Sequence, residues 1–156
     1  MKINPLNILL NKDYKLDKKF YFIGGNEITL MDKIKLVIIE KYQQKEAVDI
    51  KNIDTIKDFV EEVGLFESYK IFLGSGCKGL DEKNLNKLKS VDGIFIFVEE
   101  NSQKNKKIKS FFSKDKDSCL IDCYTLERDA RIKILNSFLG ENKLNISQDI
   151  YWFLID

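Results

Sequence analysis

Short apolar runs alternate with helically spaced apolar residues along the whole chain. Five runs have the length of strands, and several are nearly continuous; they cover residues 20–23, 47–50, 70–73, 94–98 and 119–124. A nearly continuous apolar run is typical of a strand that is buried on both faces of a sheet. The pattern therefore predicts five buried strands.

Between the runs, apolar residues recur at intervals of three and four, which is the spacing of one face of an α-helix. These positions are Met31, Ile34 and Ile38, then Ile56, Phe59, Val60 and Val63, and later Leu126, Ala130, Ile134 and Phe138. Repeated strand–helix units produce a mostly parallel sheet, because right-handed crossovers place the helices on its two faces. We predict an α/β, doubly wound fold with a mostly parallel five-stranded sheet.

The end of the chain has a different pattern from the rest. Gly140 is placed to end the last long helix, and a polar stretch follows it. Ser147 is then predicted to cap a further, aromatic-rich helix. We therefore predict one main domain over residues 1–140 and the start of a second, helical unit over residues 141–156.

The charge of the chain is nearly balanced, with 26 lysines and arginines against 25 acidic residues. A net charge of +1 gives no broad attraction to nucleic-acid phosphates or anionic lipid. The apolar patch at residues 6–10 is broken by Asn7 and is too short for a membrane span or a signal peptide. We expect a cytoplasmic protein with no membrane partner and only indirect contact with DNA.

The residues that most often carry catalysis or bind metals are scarce. The chain has no histidine, which removes the commonest general base and the commonest metal ligand. Its three cysteines, Cys77, Cys119 and Cys123, form no CxxC pair, and the last two share one face of a predicted strand. We predict buried thiols, no disulfide framework, no metal site and no catalytic residue.

Residues 74–79 match the pattern GxGxxG after a predicted strand and before a predicted helix. A dinucleotide site would place this pattern after the first strand, and the acidic residue that it needs is only loosely offered by Glu99 or Glu100. The spacing also resembles a P-loop, but Leu80 and Asp81 occupy the positions of the lysine and the magnesium-binding hydroxyl. A structural turn is favoured, and a small nucleotide- or dinucleotide-binding α/β enzyme is the alternative.

The first strand-to-helix turn, residues 24–29, is the other position for a phosphate loop. It contains no lysine, and Glu27 brings a negative charge to the start of the helix. Backbone N–H groups at a helix start bind anions, but Glu27 already interacts with the helix dipole. We predict a structural turn here as well, and no bound cofactor.

Leu65 and Phe66 lie off the apolar stripe of the helix that precedes them, after a predicted Gly64 cap. Two large apolar residues in a connector have two interpretations. They fill the gap between helix and strand, or they form an exposed anchor for a partner protein. Periodicity alone leaves both interpretations open.

Several segments, taken in order, resemble one protein family. The segments are residues 1–6, 20–27, 63–73, 93–99 and 146–154. Together they are similar to the N-terminal part of the delta subunit of bacterial DNA polymerase III clamp loaders. The resemblance covers essentially the whole chain, although no single segment is diagnostic.

The resemblance implies an AAA+-type sheet with a degenerate nucleotide site, in agreement with both glycine turns above. It also implies a non-catalytic subunit of the polymerase holoenzyme that binds the sliding clamp and opens it. In that family a Leu-Phe pair at a helix end contacts the clamp, and the matching positions are Leu65 and Phe66, with Val63 as a weaker candidate.

Members of the family are considerably longer than this chain. They continue into a lid and a helical collar that joins the other clamp-loader subunits, and residues 146–154 resemble the start of the lid. We therefore expect the isolated chain to fold but not to join a loader pentamer.

Overall fold

The computed structural model of the chain describes residues 1–44, 48–62, 69–76, 78–100 and 106–156. Its strands are β1 Lys2–Ile3, β2 Phe20–Gly25, β3 Asp49–Asn52, β4 Tyr69–Ser75, β5 Ile94–Glu100 and β6 Ser118–Cys123. Its helices are α1 Pro5–Leu10, α2 Ile28–Gln43, α3 Ile56–Glu62, α4 Glu82–Leu88, α5 Lys106–Lys114, α6 Arg128–Glu141 and α7 Gln148–Ile155. Strands and helices alternate along the chain as predicted.

All strand pairs are parallel, and the sheet has the order β1-β6-β2-β5-β4-β3. This confirms the predicted α/β class with a parallel sheet. The five predicted strands correspond to β2–β6, but the sheet has six strands.

The additional strand, β1, has only two residues, which is too short to produce an apolar run. It is held by parallel pairing of Lys2 with Leu120 and of Ile3 with Ile121. The ammonium group of Met1 also donates to the carbonyl oxygens of Phe112 and Ser118, at 3.0 Å each. These contacts are made with residues more than a hundred positions away, so local pattern cannot show them.

One face of the sheet is mainly aliphatic. Alternate strand residues point to this face, including Tyr21, Ile23, Ile71, Ile96 and Ile121, and all are buried. The helices α1 and α2 cover them with a second layer of buried residues, namely Ile8, Leu30, Met31, Ile34, Ile38 and Ile39. The predicted stripe of α2 is therefore confirmed as a core face.

The opposite face is dominated by phenylalanine. Phe20, Phe22, Phe72, Phe95 and Phe97 are fully buried there, under α3, α4 and α5. The rings of Phe72 and Phe95 stack with centroids 4.8 Å apart, and Phe20 stacks on the other side of Phe95 at 5.2 Å. Aromatic pairs of this kind add about 0.5–1.5 kcal/mol beyond the area that they bury.

The last two helices form a less buried unit. Ser147 caps α7 as predicted, since its hydroxyl accepts from the backbone N–H of Ile150. The stripe predicted for α6 is wrong at Phe138, whose surface is 54% exposed, and α6 buries no residue fully. Among the described helices, none has both the length and the apolar composition needed to cross a membrane.

Candidate functional site

The carboxyl ends of β2, β4, β5 and β6 form one edge of the sheet, and both glycine turns lie there. Gly24 is opposite Glu99 of β5 on one side and Asp122 of β6 on the other. Ser75, at the end of β4, is opposite Val98. Ligands of open α/β folds bind outside this edge of the sheet, so it is the candidate position for a nucleotide.

The first turn, between β2 and α2, is closed against the end of β6. The backbone N–H groups of Asn26 and Glu27 both donate to the carbonyl oxygen of Cys123, at 3.1 and 3.2 Å. A Cβ atom on Gly25 would lie 1.7 Å from that same oxygen. Glycine is therefore needed at position 25 so that the two backbones can approach each other.

This closure has a direct consequence for phosphate binding. A phosphate loop works because successive backbone N–H groups point at the ligand. In this turn the N–H groups of Asn26 and Glu27 point at Cys123 instead, and residues 24–29 include no lysine to reach a phosphate. The arrangement fits the structural interpretation of this turn.

The second turn, between β4 and α4, is built in another way. Gly76 and Gly79 have φ angles of 58° and 77°, in the left-handed region that favours glycine. The N–H of Gly76 donates to Val98 at 2.9 Å, and the N–H of Lys78 donates to Asp54 at 2.9 Å. Backbone donors of this turn are thus also engaged within the protein; Cys77 lies outside the described residues.

The start of α4 completes the second turn. The carboxylate of Asp81 accepts from the backbone N–H of Asn84 at 2.8 Å and caps the helix. The side-chain amide of Asn84 donates to the carbonyl oxygen of Gly79 at 2.9 Å. A negative charge therefore occupies the helix start where a phosphate group would need to bind.

Glu99 is the notable ionisable group at this edge. It follows Val98 at the end of β5, so it lies between the strands that lead into the two glycine turns. Burial raises the pKa of its carboxyl above the ordinary value. None of the described residues forms an ion pair with it, so its negative charge disfavours phosphate at either turn.

A cleft of about 410 Å³ opens beside the first turn, between α1, the start of α2 and α6. Its lining is apolar at Leu9, Leu30, Leu126 and Ile134 and polar at Glu27, Thr29, Lys33, Thr125 and Arg131. The Nη1 of Arg131 donates to the main-chain oxygen of Asp156 at 3.2 Å. Sequence reasoning did not find this cleft, because its lining comes from helices that are far apart in the chain.

The predicted clamp-contacting residues, Val63, Leu65 and Phe66, lie outside the described residues. The described chain on either side consists of α3, which ends at Glu62, and β4, which begins at Tyr69. The start of β4 is at the amino edge of the parallel sheet, opposite to the edge with the glycine turns.

The described thiols belong to the core, as predicted. Cys119 and Cys123 are fully buried on the aliphatic face. Burial raises the pKa of each thiol to about 12, which leaves both uncharged and unreactive at neutral pH. In the part of the chain that the structure describes, no cluster of three or more potential ligands is arranged to hold a metal ion.

Comparison of the fold with solved structures gives replication proteins. AMPPCP-bound DnaA from Aquifex aeolicus matches with a TM-score of 0.52 and 16% identity, over 97% of this chain and 53% of that one. A structure of the replication initiator DnaA bound to AMPPCP and single-stranded DNA also matches with a TM-score of 0.52 and 16% identity, over 97% of this chain and 54% of that one. The chain spans about half the length of these proteins.

At this identity the likeness establishes the fold alone. This chain has an AAA+-like α/β fold. No protein-family model and no curated protein match the sequence. The fold predicted from the sequence is thus confirmed, and the relation to replication proteins is one of structural similarity.

Proposed function

We propose that this chain is the clamp-binding domain of a clamp-loader delta subunit, which binds the sliding clamp and favours its open form without hydrolysing ATP. The observation that carries the proposal is the β2–α2 turn, where Asn26 and Glu27 donate to Cys123. An AAA+-like fold with that turn closed fits a subunit that works by binding. The ordered sequence resemblance supplies the particular family.

In this proposal the chain opens the clamp by binding it and catalyses no reaction itself. A partner shifts a closed ring toward an open one only by its differential affinity for the two forms. ATP would act through the other clamp-loader subunits, and contact with DNA would be indirect. The DnaA structures contain AMPPCP, but that ligand is not carried over, because residues 24–29 of this chain have no lysine.

Leu65 and Phe66 are the proposed clamp anchor, with Val63 beside them. The described elements that flank them are fixed to each other, since the ring of Phe59 in α3 packs edge-to-face on Phe72 in β4 at 5.0 Å. Such flanks would support an anchor without large rearrangement. Apolar anchors at the centre of an interface typically lose about 2 to 4 kcal/mol when truncated to alanine, roughly 30-fold to 1000-fold in affinity.

The test is surface plasmon resonance with the cognate sliding clamp, together with thermal melting of each variant. The Leu65→Ala/Phe66→Ala variant should keep its melting temperature and lose about 30-fold or more in affinity. The matched control is Leu36→Ala/Ile50→Ala, which removes two apolar side chains that are 47% and 38% exposed. This control should bind like the unmodified chain.

Two results would contradict the proposal. Unchanged clamp affinity in the folded double variant would show that the pair is not the anchor. A loss of about 3 to 5 kcal/mol of folding stability would instead identify Phe66 as a core residue, and clamp binding would then be lost only through unfolding.

A further inference from the structure

The cleft between α1, the start of α2 and α6 has no role in the proposed function. Its volume of about 410 Å³ is in the range of small-molecule sites, which are mostly apolar and have a few polar groups. The apolar part of its wall is formed by Leu9, Leu30, Leu126 and Ile134. Leu30 is buried and the other three are half-buried, so the packed fold itself forms this wall.

Two of the helices that line the cleft carry a cation three residues away from an apolar wall residue. On α2 the pair is Leu30 and Lys33, and on α6 it is Arg131 and Ile134. Residues three apart lie on the same side of a helix. A ligand whose apolar body lies on the wall would therefore have positive charge near it from two helices.

The guanidinium group of Arg131 is only partly used by the fold. Its Nη1 donates to the main-chain oxygen of Asp156 at 3.2 Å. Its Nε is buried, and neither Nε nor Nη2 has a hydrogen-bond partner within the described part of the chain. Nε and Nη2 form the edge of a guanidinium that binds a carboxylate through two parallel hydrogen bonds. Because Nε is covered, a carboxylate would reach this edge after a small rotation of the side chain.

The charges of the lining indicate how much negative charge a ligand should carry. Lys33 and Arg131 contribute +2 and Glu27 contributes −1, so the lining has a net charge of +1. The side chains of Lys33 and Glu27 form no ion pair or hydrogen bond with any residue that the structure describes. One negative charge on the ligand would balance this lining, whereas Glu27 would repel a polyphosphate.

We propose that the cleft binds a small organic monocarboxylate, whose apolar body lies on the wall and whose carboxylate is bound by Arg131 and Lys33. A carboxylate matches the planar guanidinium, and the apolar wall strengthens this charged hydrogen bond by excluding water. Such a ligand differs from a nucleoside triphosphate, whose several negative charges exceed the charge of the lining. The proposal goes beyond the proposed function and does not depend on clamp binding.

Isothermal titration calorimetry with two probes of the same ring tests the proposal. 2-Naphthoate is a monoanion, and 2-naphthamide is its uncharged counterpart. We expect 2-naphthoate to bind with a Kd on the order of 100 µM, as for other ligands of this size. 2-Naphthamide should bind about tenfold more weakly, because it lacks the charged hydrogen bonds. Millimolar ATP with Mg²⁺ should not displace 2-naphthoate.

Two variants test the cations of the lining. Arg131→Gln should weaken 2-naphthoate about tenfold and leave 2-naphthamide unchanged, because only the carboxylate uses the charge. Lys33→Gln should weaken 2-naphthoate about threefold. Lys33 is exposed, so this variant decides the question if Arg131→Gln does not fold. Thermal melting verifies the folding of each variant.

The matched control is Lys133→Gln, which makes the same change in net charge at an exposed lysine of α6 outside the lining. It should bind both probes like the unmodified chain. Thr125→Trp tests the location, because an indole at this exposed lining position would fill the cleft and should weaken both probes. Absence of binding at millimolar 2-naphthoate, equal affinity for the two probes, an equal loss in Lys133→Gln, or displacement by ATP would each overturn the proposal.

Discussion

Two glycine turns lie at the carboxyl edge of the sheet, one after β2 and one after β4. At Gly25 the constraint is space, since a Cβ atom would lie 1.7 Å from the carbonyl oxygen of Cys123. At Gly76 the constraint is the backbone angle, since φ is 58° and no atom lies within 4 Å of the Cβ position. Glycine is therefore favoured in the two turns for different physical reasons, namely space at Gly25 and backbone angle at Gly76.

Substitution of Gly25 should have the largest effect. Overpacking in a closed core typically costs 1–3 kcal/mol, and here the clash is with backbone, so we expect Gly25→Ala to lose more than about 3 kcal/mol of unfolding free energy. Urea unfolding of the purified variant measures this. Gly140→Ala is the control, because its Cβ position is open and lies in a helix, and it should gain up to about 1 kcal/mol.

A small loss for Gly25→Ala would contradict the close approach to Cys123. It would mean that the end of β6 moves away without cost. The β2–α2 turn would then be free to open toward a ligand, and the argument against phosphate binding would be weakened.

Substitution of Gly76 should have a smaller effect of a different kind. A left-handed backbone costs an L-residue roughly 1–2 kcal/mol, so Gly76→Ala should lose about that amount of unfolding free energy. Gly76→Asn should recover part of the loss, because asparagine tolerates this conformation. The same urea titration distinguishes them, and equal stability of the two variants would show that the angle is not the constraint.

Glu99 lies between the strands that lead into the two turns. Its substitution should change the free energy of unfolding less than the glycine substitutions do, and the change should depend on pH. Its raised pKa means that the folded state favours the protonated carboxyl, so its stabilising contribution is present below the unfolded pKa and is lost as pH rises through the folded value. At neutral pH, Glu99→Gln should therefore stabilise the protein by about 0.5 kcal/mol, after allowance for solvent screening. The gain should disappear below about pH 4.

The neighbouring Glu100 provides the control for this prediction. It is exposed, so Glu100→Gln should change stability little at any pH. Urea unfolding at several pH values compares the two variants. A gain for Glu99→Gln that persists in acid would show that its cause is packing and not charge.

The fold was predictable from the sequence because strand burial and helix spacing are local signals. The run at residues 94–98 predicted β5, and Ser147 predicted the cap of α7. The two-residue strand β1 was not predictable, since it is held by contacts with β6.

The candidate site was predictable only in part. The missing lysine of residues 24–29 is visible in the sequence, but the bonds from Asn26 and Glu27 to Cys123 are not, because they join distant parts of the chain. The role of Leu65 and Phe66 stays a prediction.

The last prediction is that nucleotides leave the stability of the chain unchanged, because the N–H groups of Asn26, Glu27, Gly76 and Lys78 already donate within the protein. A ligand at 100 times its Kd stabilises a protein by about 2.7 kcal/mol, which raises the melting temperature of a domain of this size by roughly 5–10 °C. We expect a shift below about 1 °C with millimolar ATP and Mg²⁺, and the same with NAD or FAD. Tripolyphosphate with Mg²⁺ is the ionic control, because it reproduces the charge without the nucleoside.

A saturable shift with ATP that is lost in Gly76→Val would locate a nucleotide at the second turn. That result would favour the alternative of a nucleotide-binding enzyme, whereas a shift kept in that variant would point to the first turn and to an opening of its bonds with Cys123.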